Sequence, residues 1–301
     1  MNQKEIYEKL LPYIQESGLH LDAPMREYTS FRTGGNAALL VKPSGLSELF
    51  SAVELLNREK CPFIVIGNGS NTLFRDEGYE GVVLHVGGGI DRIRVEGNVI
   101  FAEPGILLSA VSKKAMEHSL TGLEFAAGIP GSLGGAVYMN AGAYGGEMKD
   151  VIISTASIKR NGMMKDRKAD SLHFGYRKSV FQENDEIIIG VKMYLQTGDQ
   201  EEIQKRMREL NTKRNEKQPV SFPSAGSFFK RPEGHFAGRL IEDAGLKGLS
   251  VGGARVSPMH AGFIINEGGA TAADIIDLMK LVQQTVYDKS GVMLNPEVRI
   301  I

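Results

Sequence analysis

The chain has 301 residues, a formal net charge of −1, 42% hydrophobic and 24% charged residues, and one cysteine, Cys61. This composition describes a globular protein of two domains, with no excess charge to recruit nucleic acid or an anionic membrane and no second thiol for an internal disulfide. No apolar run is long enough to span a bilayer, and the first residues alternate charges without an apolar signal core, so a cytoplasmic location is expected. The 36 glycines gather in loops, as expected where backbone closely approaches a ligand.

In chain order, residues 3–17 read as a short amphipathic helix with Ile6, Leu10, Tyr13 and Ile14 on one face, weakened by Pro12. Residues 46–60 place Leu46, Leu49, Val53 and Leu56 at helical spacing. The run from Pro62 to Ile66 reads as a buried strand ending at Gly67, with Cys61 before it as a small core residue. Further short β-branched segments, Val82–Val86, Val99–Ala102, Ile152–Ile158 and Ile187–Leu195, suggest strands, and Ile106–Ser119 a helix. Residues 199–217 open with acidic and close with basic residues, matching the helix dipole, and end at Gln218-Pro219 as a connection between domains would. Beyond it we expect helix 236–245, strand Phe263–Asn266, helix 272–289 with Thr271 and Asp274 as a capping box, and a final strand Val298–Ile301. The fold class is α+β.

Three segments are candidates to carry the chemistry. Gly67-Asn68-Gly69-Ser70-Asn71 follows a strand and can turn several N–H groups toward one point, as an anion such as a dinucleotide pyrophosphate requires, though a plain tight turn has the same residues. It lacks the helix that a Rossmann fingerprint demands. The run Gly128–Gly146 mixes glycine with Ile, Leu, Val and Met, which suits backbone wrapped on a flat ligand or a domain contact better than a flexible linker. Gly226-Ser227-Phe228-Phe229-Lys230-Arg231 sets one hydroxyl at a bend beside aromatic rings and cations, a setting for a proton donor. No His, Cys or carboxylate cluster has metal-ligand spacing.

Together with Ser30-Phe31-Arg32-Thr33-Gly34-Gly35, Gly175-Tyr176-Arg177-Lys178-Ser179 and Pro296-Glu297-Val298, these segments resemble the UDP-N-acetylenolpyruvoylglucosamine reductases, from about Ser30 to the C-terminus. The resemblance implies a vanillyl-alcohol-oxidase-like FAD-binding domain of two small α+β lobes, over residues 1–198, and a C-terminal α+β substrate domain, over 199–301. It implies reduction of a UDP-sugar to UDP-N-acetylmuramate for the cell wall, by NADPH through non-covalent FAD; a monomer is expected. The run from Val191 to Pro219 has no insertion bearing a substrate-binding tyrosine, so the chain resembles the family's shorter class.

The resemblance assigns catalysis to Arg177, Ser227 and Glu297. It assigns FAD to Gly67, Asn68, Gly69, Ser70, Asn71, Gly128, Ile129, Ser132, Gly134 and Gly135, and the UDP-sugar to Tyr176, Arg214, Lys217, Lys230 and Arg231. Lys217 matches a substrate-binding lysine, whereas Arg231 stands where the longer class has asparagine. The chemistry suits these types. Adding hydride to a vinyl carbon builds charge on the adjacent carbon and its carboxylate, which an arginine fork can hold and a serine can protonate. Glu297 could hydrogen-bond that carboxylate if protonated, or orient Arg177 if ionised. His260 is expected to be structural.

Overall fold

The computed structural model describes residues 3–301. The chain divides into two compact units, one of Met1–Leu21, Leu39–Asn68 and Gly81–Arg214, the other of Asp22–Ala38, Gly69–Glu80 and Asn215–Ile301.

Unit 1 carries two hydrophobic cores. In the first lobe, α1 (Gln3–Leu10) buries Ile6 and Leu10, and α2 (Leu46–Arg58) buries Leu49, Ala52, Val53, Leu55 and Leu56. The helical spacing of residues 3–17 breaks early because Pro12 has no N–H to continue the ladder, and the segment turns after Leu10. These helices pack with a four-stranded sheet of order Leu19–Pro24, Asn36–Val41, Tyr79–His85, Phe63–Ile66. The last two strands run parallel, pairing Phe63 with Val82 and Ile66 with His85. Cys61 is buried, and burial raises its thiol pKa.

The second lobe is a five-stranded sheet of order Met164–Lys168, Ile152–Ile158, Ile187–Tyr194, Val99–Ala102, Ile93–Glu96, antiparallel throughout. Alternation along its strands turns Ile100, Ala102, Val191 and Met193 into the core shared with α3 (Leu108–Glu117) and α4 (Leu133–Tyr138). One buried carboxylate is fully accounted for. Glu186 accepts two bonds from Arg167, at 2.8 and 2.7 Å, and one from Ser157 Oγ at 2.8 Å. That fork, before its other partners, holds the Glu186 pKa below the usual carboxylate range.

The charged helix α5 (Gln200–Lys217) buries only Ile203 and Leu210, and Asp199 Oδ1 caps the backbone N–H groups of Glu201 and Glu202. Unit 2 is built around a four-stranded antiparallel sheet, Ser224–Ser227, Phe263–Asn266, Ala254–Val256, Ser250–Val251. Against it pack α6 (Ala237–Asp243) and α7 (Ala272–Ser290), whose stripe of Ile275, Leu278, Met279, Val282 and Val286 is buried. The expected capping box is present, since Thr271 Oγ1 accepts from Asp274 N and Asp274 accepts from Thr271 N. A second cap comes from far away in sequence: Asp76 accepts from Ala272 N and Ala273 N, both at 2.8 Å. The final strand, Arg299–Ile300, pairs in parallel with Thr72–Leu73.

Candidate active site

In unit 1 the strand Phe63–Ile66 delivers the chain to Gly67. A Cβ on Gly67 would collide with Ser132 Oγ, so the missing side chain is what lets the two loops close on each other. Ser132 is buried and stands at the N-cap of α4, where Gly135 N donates to its hydroxyl at 3.5 Å. The run Gly128–Gly146 therefore contains a helical turn that its glycines conceal from a reading of propensity. Gly134 packs on Pro104, its Cβ position 2.8 Å from Pro104 Cβ, and the partly buried Ile129 packs on the second lobe's core.

At Gly128 the Cβ direction is filled by Asn211 Oδ1, at 2.5 Å, and Arg214 Cδ, at 3.1 Å, both from α5. Arg214 thus lies against the Gly128 loop. Burial lowers the pKa of its guanidinium, with the neighbouring Tyr144 opposing the shift. A desolvated cation beside glycine-lined backbone suits an anionic ligand group, and the apolar residues of the same loop suit a flat ring; the residues present fit FAD.

Arg177 sits in a tight turn closed by Gly175 and Lys178, with φ +53, a left-handed conformation rare for a non-glycine residue. Its Nη2 donates to Gly142 O at 3.2 Å, and its guanidinium lies 5.3 Å from the centroid of the exposed Tyr176 ring.

In unit 2, Gly69 has φ +60, and a Cβ there would collide with Tyr28 O. Gly69 is required by the protein's own backbone, before any ligand arrives. Asn71 Nδ2 donates to Glu297 O at 3.2 Å. Ser70 and Asn71 are half-buried, and Asn68, the last residue of its unit 1 segment, is exposed.

Ser227 ends its strand, pairs with Phe263 and is exposed. The two aromatics after it do not wall it. Phe228 and Phe229 are core residues, packed on Phe31 and on each other at centroid distances of 6.1 and 5.2 Å. They serve Ser227 through the main chain: Phe228 N donates to Gly262 O, and Glu297 N donates to Phe228 O, both at 2.8 Å. Phe229 bridges Pro296, so main-chain pairing sets Glu297 beside the strand end at Ser227, and Asn71 Nδ2 adds a bond to the Glu297 carbonyl. The Cβ position at Gly262 lies 3.1 Å from Ser227 Oγ and 3.2 Å from His260 Nδ1. His260 Nδ1 accepts from Gly262 N at 3.1 Å, and burial, ahead of smaller causes, lowers its pKa. This agrees with a neutral loop-bracing histidine. Lys217, Lys230 and Arg231 are exposed, and the Arg231 guanidinium stacks over Phe236 at 4.5 Å.

The sequence reading gave no role to Asn140 or Glu147, which frame the Arg177 turn, nor to Asp76. An asparagine set between apolar residues of a glycine-rich run was the available signal for the first. A cavity of about 820 Å³ on the five-stranded sheet, beside Arg94, Phe101 and Lys192, contains none of the expected site residues.

A family model described as FAD binding domain matches residues 37–166, and one described as UDP-N-acetylenolpyruvoylglucosamine reductase, C-terminal domain, matches 218–301. The UDP-N-acetylenolpyruvoylglucosamine reductase of Alkaliphilus oremlandii is 46% identical over 301 residues, covering 100% of this chain and 99% of the relative. This chain belongs to the UDP-N-acetylenolpyruvoylglucosamine reductase family. A second reductase, from Caldanaerobacter subterraneus, is 47% identical over 296 residues, 98% of each chain. The crystal structure of the Thermus caldophilus reductase superposes with a TM-score of 0.81 at 36% identity, over 94% of this chain and 97% of that one. The pollen glucose dehydrogenase Phl p 4.0202 aligns at a TM-score of 0.50 and 14% identity, over 65% of this chain and 44% of that one, a likeness of fold alone. The reductase family thus has here the expected vanillyl-alcohol-oxidase-like FAD-binding fold with a C-terminal domain of its own.

Proposed function

We propose that this chain reduces UDP-N-acetylenolpyruvoylglucosamine to UDP-N-acetylmuramate, using NADPH through FAD, in the synthesis of peptidoglycan precursors. The observation that carries the reading is the full-length likeness to reductases of that name, joined to the framing of Ser227 and Glu297 in one backbone ladder. Bound FAD supplies the relay of hydride from NADPH to the terminal vinyl carbon. Gly67, Asn68, Gly69, Ser70, Asn71, Gly128, Ile129, Ser132, Gly134 and Gly135 hold it without a covalent bond.

Arg177 grips the substrate carboxylate and stabilises the charge that builds there. Ser227 Oγ donates the proton to the neighbouring carbon, so that hydride and proton together saturate the double bond. Glu297 serves the same carboxylate. Tyr176, Arg214, Lys217, Lys230 and Arg231 bind the UDP-sugar. By sequence the flavin-holding residues lie within 1–198 and most of the substrate-binding residues within 199–301, in a cytoplasmic monomer, while Asp22–Ala38 and Gly69–Glu80 fold into one unit with Asn215–Ile301. Among the described residues no helix is long and apolar enough to cross a membrane.

The test is spectroscopic. The purified protein is expected to be yellow, to bleach with NADPH under argon, and to recover its colour when the enolpyruvyl sugar is added. A protein that carries flavin but passes electrons only to oxygen would instead be an oxidase of the same fold.

A further inference from the structure

Asn140 is fully buried in the glycine-rich run and stands at φ +42. Asparagine tolerates this region better than most residues because its short side chain can bond locally. All of its amide is engaged. Nδ2 donates to Gly175 O at 2.9 Å and to Glu147 Oε2 at 3.0 Å, while Oδ1 accepts from Lys149 N at 3.0 Å.

Each partner leads to Arg177. Gly175 is the hinge of its turn: Gly175 N donates to Lys178 O at 3.0 Å and Lys178 N to Gly175 O at 3.2 Å. Gly142, whose carbonyl holds the Arg177 guanidinium, pairs with Glu147 in the two-stranded ladder that follows Asn140. The Glu147 carboxylate is held below the usual range by its bond to Lys149, then by Asn140 and by the charge of Arg177. Two further side chains brace the same turn through Tyr138: Ser179 Oγ and Gln182 Nε2 donate to its carbonyl at 2.7 and 3.0 Å, and Gln182 Nε2 also reaches Arg177 O. The left-handed region is disfavoured for a non-glycine residue, so the Arg177 conformation persists only because its surroundings fix it.

We propose that Asn140 is the positioning residue for Arg177, one amide clamping the arginine turn to the ladder whose backbone carries the guanidinium. The inference rests on the assignment of Arg177 to the substrate carboxylate. Asn140 touches no substrate; it sets where the fork points. A displacement of about 1 Å in such a group can cost about 10²-fold in rate.

Asn140→Asp is the discriminating variant. It keeps size, tolerance of the backbone angle and the acceptor for Lys149 N, and it removes both Nδ2 bonds. We expect normal flavin content, bleaching by NADPH within about 2-fold of the parent, and recovery of colour with saturating enolpyruvyl sugar slowed by about 10–10²-fold. Asn140→Gly, which suits the backbone angle and lacks the amide, should show the same split if the aspartate variant folds poorly. The double variant Asn140→Asp with Arg177→Met should be no slower than Arg177→Met alone, because the clamp acts only through the arginine. Unchanged reoxidation in the folded Asn140 variants, with Arg177→Met impaired, would overturn the clamp and leave Arg177 standing. Unchanged reoxidation in Arg177→Met would remove the arginine assignment itself. Equal losses in both half-reactions, or loss of flavin, would make Asn140 a purely structural residue.

Discussion

Ser227 and Arg177 are held in place by different means. Ser227 and Glu297 sit on main-chain frames. Strand pairing, the Phe229–Pro296 bridge and the bonds around Phe228 do most of the fixing, with one side chain, Asn71, bonded to the Glu297 carbonyl, and Phe228 and Phe229 anchor those frames in a core. Arg177 lies in a turn with a left-handed residue at its centre, braced by side chains: Asn140, Ser179 and Gln182. A backbone frame tolerates replacement of the side chain it presents, because the bonds that hold it belong to every residue type. A side-chain brace makes a site depend on residues that never meet the substrate.

The comparison would break at Ser227. Ser227→Ala should leave the fold, the flavin and NADPH bleaching intact while reoxidation by substrate slows by about 10²-fold or more, read by stopped-flow absorbance. Ser227→Cys should regain part of the loss. Turnover near the parent's in a folded, flavin-loaded Ser227→Ala would assign the proton to water or to another group.

Arg177→Lys keeps charge and loses the planar fork, so about a 10²-fold slower reoxidation is expected, with bleaching unchanged. Equal losses in both halves would mean that the turn, and not the fork, is what matters.

Asp76 sharpens the contrast within unit 2, where a side chain rather than backbone holds a helix end. Asp76→Ala removes two bonds from the N-terminus of α7 and should lower stability by about 1 kcal/mol in urea titration, with both half-reactions unaltered.

The smallest expected effect near neutral pH is one of protonation. Burial, assisted by Lys42, lowers the His85 pKa from 6.5 to about 4. The unfolded chain therefore takes up a proton near 6.5 that the folded chain takes up only near 4, and stability falls as pH is lowered through that window. At about pH 6 the contribution is under about 1 kcal/mol, and His85→Gln should flatten this part of the profile.

Helices with a clear apolar stripe were legible in the sequence, as α2 and α7 show, because their spacing reports one buried face whatever packs upon it. The glycine loops and the motif around Ser227 were legible as motifs. Their local forms were not. α4 lies inside a run whose glycines argue against helix, and the rings beside Ser227 turn into a core instead of facing the site. Gly69 is glycine because Tyr28, distant in sequence, leaves no room for a Cβ.

By itself, then, the sequence determined the fold class, the main helices and strands and the family, and it named candidates for the site, since these follow from periodicity and from ordered motifs. Only the tertiary structure decided which residues hold the others. Asp76 caps a helix 196 residues later in the chain, and Asn140 clamps a turn 35 residues away. A hydrogen bond depends on distance in space within about 3 Å, and no local pattern records which distant segments folding brings that close.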